Sequence, residues 1–262
     1  MKKYFNIFKA TLINELQYVS DIVLGFLSFI IKIFIFLNLW NYLYDDPSSL
    51  IAGFSKDQMI WYVIMTEMIW YGNRNKTLVN QITNDIKSGS IAYTLNKPYS
   101  YIIYIISKHF GEISIKFILY MILAIITGFL FVGPINFNII NLAFIIIVFL
   151  LSFIINAIVR LIISMLSFYI EDSTPFHWLY DKMIIVLGII FPIEVFPLFL
   201  QPILKFTPIY VITYGPAKLV IDFSINSFIT ILLIQIIYLI ITSILLVIIY
   251  RKGVRKLNVN GG

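Results

Sequence analysis

The stretch Ile82–Ile103, ITNDIKSGSIAYTLNKPYSYII, is the polar interval around which the rest of the chain is organised. From Thr77 to Ser88 the apolar residues Leu78, Ile82 and Ile86 recur at every fourth position, which is one face of an amphipathic helix. Asn84, Asp85 and Lys87 fall off that stripe. Gly89 follows where a helix-ending residue in a left-handed conformation belongs. SIAYTLNKP then reads as a turn and a short connection. Pro98 suits the first turn of a second helix, which carries YSYIIYIISKHFGE onward. Whether the polar side of this pair meets a partner or only water is left open by periodicity.

Outward from this interval the chain turns strongly apolar. Its 262 residues are 60% hydrophobic and only 12% charged, with a mean hydropathy of +0.94. A soluble domain carries about a quarter charged residues, so this chain has too little polar surface to cover its core with water outside. The bilayer must be part of its solvent. Spanning segments in a bilayer satisfy their own backbone, as helices or as closed barrels. The apolar runs here are long and continuous, which selects an all-α integral membrane bundle.

Six spans are predicted, at roughly 20–44, 57–73, 113–132, 140–168, 180–200 and 226–250. The second is interrupted by Glu67 and the fifth by Pro192 and Pro197. With the N-terminus inside, Lys2, Lys3, Lys9, Arg74, Lys76, Lys87, Lys97, Lys108, Lys182, Arg251, Lys252, Arg255 and Lys256 face the cytoplasm. Only Lys56, Lys205 and Lys218 are then outside, with Asp45, Asp46, Asp57 and Asp222. That orientation obeys the positive-inside bias and puts both termini in the cytoplasm. At the N-terminus Phe5, Phe8, Leu12 and Leu16 share a helical face, which predicts a helix over 1–18 lying in the interface. The whole of 1–262 reads as one transmembrane domain, with a cytoplasmic region at 74–110.

Gly188–Val220, GIIFPIEVFPLFLQPILKFTPIYVITYGPAKLV, holds five of the nine prolines: Pro192, Pro197, Pro202, Pro208 and Pro216. Proline removes a backbone donor and breaks a helix, yet the segment stays apolar. Broken backbone survives at membrane depth only where protein buries it or it lines a cavity. The segment is predicted to end a span near Pro197 and then dip back into the outer leaflet as short helices over 199–225. An ordinary external loop packed on the bundle is the alternative.

Several chemistries are excluded or unsupported. There is no cysteine, hence no disulfide or thiolate site. The dipeptide Gly-Lys does not occur, so a P-loop for ATP is absent. The two histidines, His109 and His177, lie on different segments. Ser173 with His177 is the one conceivable catalytic pair, and no oxyanion signature accompanies it. Otherwise His177 is an interfacial residue beside Trp178 and Tyr180, residue types that suit an aromatic belt. No enzyme activity, metal or cofactor is expected in this chain, and its net charge of +6 needs no nucleic acid to explain it.

Charge inside the spans is the other candidate. Lys32 lies twelve residues into the first span and Glu67 ten residues into the second. At about 1.5 Å per residue each reaches roughly the middle of a ~30 Å hydrocarbon core. A charge there is costly unless paired or hydrated. The two therefore read as an intramembrane ion pair, structural or part of a substrate or proton path. Asp21, Glu112, Lys116 and Arg160 lie nearer the inner boundary and read as snorkelling anchors. Glu194 either lines an outer cavity or reaches water.

IKSGSIAYTLNKPYSYIIYIISKHFGE resembles the cytoplasmic segment of ABC-2-type transporter permeases: a short helix, a Gly, small and apolar residues, a Leu and a basic-Pro pair. GIIFPIEVFPLFLQPILKFTPIYVITYGP is similar to that family's Gly-then-paired-prolines segment before the last span. The amphipathic N-terminus and the span count agree, and the chain looks most like the branch of antibiotic-resistance and bacteriocin-immunity exporters. The resemblance implies the type V exporter fold in a bacterial cytoplasmic membrane. It also implies a permease pathway built with a second copy or a paralogue, and separate ABC ATPase subunits that hold ATP and Mg. By position, Asn84, Asp85, Ile86, Lys87 and Gly89 would belong to the coupling helix that contacts the ATPase. The pathway would be lined by the first, second and fifth spans. A hydrophobic or amphipathic substrate is expected. An ion-gradient-driven secondary transporter, and an immunity or binding protein without transport, are the rival readings. The former usually carries more midplane carboxylates and a repeated half.

Overall fold

The structure is a computed structural model that describes residues 2–44, 46, 49–74, 76–134, 139–170 and 172–260. Asp45 and the side chains of Asp21, Lys76, Thr77 and Leu78, named above, lie outside the described residues. The described residues are helical almost throughout: α1 (Lys2–Glu15), α2 (Val19–Leu43), α3 (Lys56–Gly72), α4 (Lys76–Lys87), α5 (Ile91–Leu95), α6 (Tyr101–Phe131), α7 (Ile139–Met165), α8 (Thr174–Ile184), α9 (Gln201–Lys205), α10 (Gly215–Ile221) and α11 (Ile225–Asn260).

Four helices are long and apolar enough to cross a membrane, over Ile22–Leu43, Tyr101–Phe131, Ile140–Phe168 and Ile225–Lys256. The two other expected spans do not meet that criterion, for separate physical reasons. α3 has only 17 residues, and every one from Met59 to Gly72 is buried. It stands in the middle of the bundle, against α2, α6 and α10. A helix wrapped by protein need not be uniformly apolar, so it carries Thr66 and Glu67 and reads as marginal by hydropathy. Its start is fixed by a reciprocal cap between Ser55 and Gln58. The Gln58 amide also donates to the Ile221 carbonyl at 3.2 Å, which ties α3 to the end of α10.

The fifth expected span ends earlier than the sequence suggested. α8 runs straight into a π-helical stretch, Ile185–Ile190, and stops at Phe191, whose backbone is extended (φ −127°, ψ 133°). Pro192 favours this, because the proline ring disfavours the helical conformation in the residue before it and supplies no N–H to continue the helix. The span therefore breaks at Phe191 and not near Pro197.

Two further expectations are corrected around α6. SIAYTLNKP is not only a turn, because Ile91–Leu95 closes into α5. Pro98 stands in the turn ahead of α6 and not in its first turn, because Ser100 caps the helix and its backbone N–H is held by the Tyr4 hydroxyl at 2.8 Å. That bond also docks α1 along α6, as does the Glu15–Lys116 ion pair at 3.1 Å. α1 half-buries Tyr4, Phe8 and Leu12 against α6, while Phe5 and Leu16 stay exposed.

Candidate functional site

α4 buries Val79, Ile82, Thr83 and Ile86, the i, i+3, i+4, i+7 face of a helix. Gly89 then takes φ +72°, a left-handed turn that a Cβ would strain. Five of the residues singled out by sequence fall here, and they divide. Asn84 and Lys87 are exposed. Ile86 is packed inward. Asp85 accepts hydrogen bonds from the Ser90 and Tyr101 hydroxyls, each at 3.3 Å, so its carboxylate braces the turn and the foot of α6.

Polar contacts fasten α4 on two sides. On α6, the Lys108 ammonium donates to the Gln81 side chain. On the segment entering α8, the Thr83 and Ser173 hydroxyls lie 2.9 Å apart, and the Ser167 hydroxyl donates to Ser173 at 2.9 Å. Lys87 stands 3.7 Å from Asp172. The Asp172 carboxyl is held below its ordinary range by the hydroxyl and backbone N–H of Thr174, with Lys87 adding to the effect. α4 is thus joined to the base of two long elements at once.

The Ser173–His177 pair does not form. His177 Nε2 lies 3.0 Å from the Ser164 hydroxyl of α7, and Ser173 is engaged by Thr83. His177 is buried, with the Arg160 guanidinium nearby. Tyr180 is not a belt residue either: it is buried and donates to Asn156 Oδ1 at 2.8 Å. Arg160, expected to snorkel, is buried and bonded to Asp181 at 2.9 Å. Among the described residues no cluster of three or more His, Cys, Asp or Glu could hold a metal ion.

Lys32 and Glu67 meet. The Lys32 ammonium stands 3.1 and 3.3 Å from the two carboxylate oxygens and 4.9 Å from the centre of the Tyr71 ring. Glu67 is 2% exposed, while the Lys32 side chain is 35% exposed, so the acid is enclosed and the base opens toward a cavity.

In the proline-rich segment, Pro197 lies in a turn, Pro202 in the first turn of α9 and Pro216 in the first turn of α10. The helix that begins at Pro208 bulges into a π-helical turn over Tyr210–Tyr214. Gly215 N–H therefore bonds Tyr210, and Pro216 has no N–H, so the carbonyls of Val211 and Ile212 lose their helical donors. Side chains from neighbouring helices replace them. Gln235 donates to Val211 at 2.9 Å, and the Ser152 hydroxyl donates to Ile212. The first π-helical stretch is served in the same way: the carbonyls of Gly188 and Ile189 accept from Tyr62 at 2.7 Å and Thr66 at 3.5 Å. Glu194 is held by Lys218 at 2.9 Å and by the Tyr214 hydroxyl, which clamps the break after the fifth segment onto α10.

Sequence reasoning missed Tyr62, Thr83, Ser152 and Gln235, and it gave Ser173 a partner, His177, other than the Thr83 it meets. For Tyr62, Ser152 and Gln235 the available signal was a polar side chain inside an otherwise apolar run, a side chain able to serve a proline-freed carbonyl. A comparison with curated proteins gave no match. A family model described as ABC-2 family transporter protein matches residues 16–261. With its four long apolar helices, the chain is a multi-pass membrane protein that belongs to the ABC-2 transporter family, the membrane component of ABC transporters that associates with an ATPase subunit.

Proposed function

We propose that the chain is the permease subunit of an ATP-binding cassette exporter and moves a hydrophobic or amphipathic substrate outward: a drug, a peptide or a lipid-like molecule. It spans a bacterial cytoplasmic membrane six times, with α3 and the α8 segment as the second and fifth spans and both termini inside. Two copies, or this chain and a paralogue, enclose the pathway. ATP and Mg are bound by separate ATPase subunits. α4 is the coupling helix, and the segment after Pro197 re-enters the outer leaflet.

The observation that carries this reading is the double attachment of α4. Its outer face presents Asn84 and Lys87, while Thr83 reaches Ser173 and Asp85 reaches Tyr101. A push delivered by the ATPase to the exposed face is thereby passed to α6 and α8 together. Such coupling requires a two-state element that the ATPase biases. The rival reading of a gradient-driven carrier gains little, because the enclosed midplane acid, Glu67, is already neutralised by Lys32.

The test is to purify the tagged chain from its native membrane in mild detergent and to assay ATP hydrolysis. An ATP-hydrolysing subunit should co-purify, and Lys87→Glu should lower its recovery. A monodisperse chain without any nucleotide-binding partner would contradict the reading.

A further inference from the structure

Two cavities open at the inner half of the bundle, and they differ in the balance of their charges. The larger, about 900 Å³, lies between α1, α2, α3 and α6. Its Lys116 and Lys108 are matched by Glu15 at 3.1 Å and Glu112 at 3.8 Å on its own walls, and Arg74, which also lines the smaller cavity, is the one cation there without a carboxylate partner among the described residues. The smaller, about 510 Å³, lies between α2, α3, α4, α7 and α8. Lys32, Arg74, Arg160 and Lys182 line it, against a single lining carboxylate, Asp181.

Internal pairing does not neutralise this second cavity. Glu67 satisfies Lys32 and Asp181 satisfies Arg160. Arg74 and Lys182 pair with no carboxylate among the described residues. They are held instead over aromatic rings, Arg74 at 5.9 Å from the centre of Trp70 and Lys182 at 5.5 Å from that of Trp178. The Arg160 guanidinium lies 6.0 Å from the centre of the same Trp70 ring. Two guanidinium groups therefore converge on one indole.

Buried polar atoms are also left over at this wall. Arg160 is 6% exposed and His177 5% exposed, and Arg160 Nε and His177 Nδ1 have no hydrogen-bond partner. A buried donor without a partner costs about 1–3 kcal/mol. Gathering like charges in a low-dielectric recess is costly as well, unless an anion shares it. Guanidinium groups beside an ammonium are the usual donors for phosphate or carboxylate oxygens.

We propose that this cavity receives the anionic head, phosphate or carboxylate, of an amphipathic substrate. The apolar tail would extend from the cavity mouth into the surrounding hydrocarbon. The proposal rests on the permease reading and narrows the substrate class to anionic amphiphiles. Recognition is by charge and aromatic framing: Lys182 and Arg74 meet the head, and the Arg160 guanidinium adds its charge from the wall.

The test uses the purified chain in nanodiscs of zwitterionic phosphatidylcholine, without ATPase. The probes are three dansyl-tagged single-chain amphiphiles of equal length, bearing phosphate, carboxylate or trimethylammonium. Energy transfer from Trp178 and Trp70 reports binding. The two anionic probes should bind at least about tenfold more tightly than the cation. The exposed Lys182→Glu variant should remove most of that preference. The double variant Arg160→Gln with Asp181→Asn, which leaves no orphan acid, should weaken the anions and spare the cation. Displacement by phosphatidylglycerol would assign the head to a membrane lipid, and displacement by inorganic phosphate would assign it to a soluble anion. Either keeps the anion site. Equal binding of all three probes, or an unchanged preference in both variants, would overturn it. Because no ATPase is present, anion binding with no ATPase partner in the native membrane would sink the exporter reading alone.

Discussion

The Tyr62 hydroxyl donates a 2.7 Å hydrogen bond to the Gly188 carbonyl, which Pro192 deprives of its helical donor. The central helix α3 thus holds the fifth segment where that segment breaks. Tyr62→Phe leaves this buried carbonyl unpaired at a cost of about 1–3 kcal/mol. The purified variant should melt at a clearly lower temperature than the parent. An unchanged melting point would mean that the bond is not needed.

Gly188 also marks the contact between the two π-helical turns. A Cβ there would stand 2.1 Å from Thr213 Oγ1 and 2.8 Å from Ile209 Cγ2. Overpacking of this kind costs about 1–3 kcal/mol or more. Gly188→Ala should give a poor yield of folded protein, and adding Thr213→Ala should recover part of it. A Gly188→Ala protein as stable as the parent would show that the two turns are free to separate.

For Lys32 and Glu67 the prediction concerns the difference between single and double variants. Lys32→Met strands a buried carboxylate, a loss of about 3–5 kcal/mol. Lys32→Met with Glu67→Leu should restore the folded yield and the ATP hydrolysis of the co-purified complex. A double variant that is stable but inactive would give the pair a role in transport itself.

Much of the organisation was legible where one rule governed the local sequence. The stripe through Ile82 and Ile86 and the stop at Gly89 set the limits of α4, because amphipathic period and a left-handed cap are local properties. The spans that face lipid declared themselves by hydropathy. α3 did not, because a helix enclosed by others is free to carry Thr66 and Glu67. The π-helical turns before Pro192 and Pro216 were hidden too: a uniformly apolar run has no pattern that shifts when the helix widens. Partners distant in sequence, such as Thr83 with Ser173 and Arg160 with Asp181, are products of packing. Asp85 is the clearest lesson. Its position on the polar side suggested a partner surface, yet Tyr101 and Ser90 occupy its carboxylate. Asn84 and Lys87 are therefore the positions at which to probe docking.

The central claim is that α4 meets an ATPase subunit through its exposed face. The direct measurement places a benzophenone-bearing amino acid at Asn84 and illuminates native membranes, with a parallel substitution at Phe199, which is 72% exposed on the side assigned to the exterior. The account predicts a cross-link from Asn84 to an ATP-binding protein and none from Phe199. An intact ATP-hydrolysing complex in which Asn84 gives no such cross-link would contradict it.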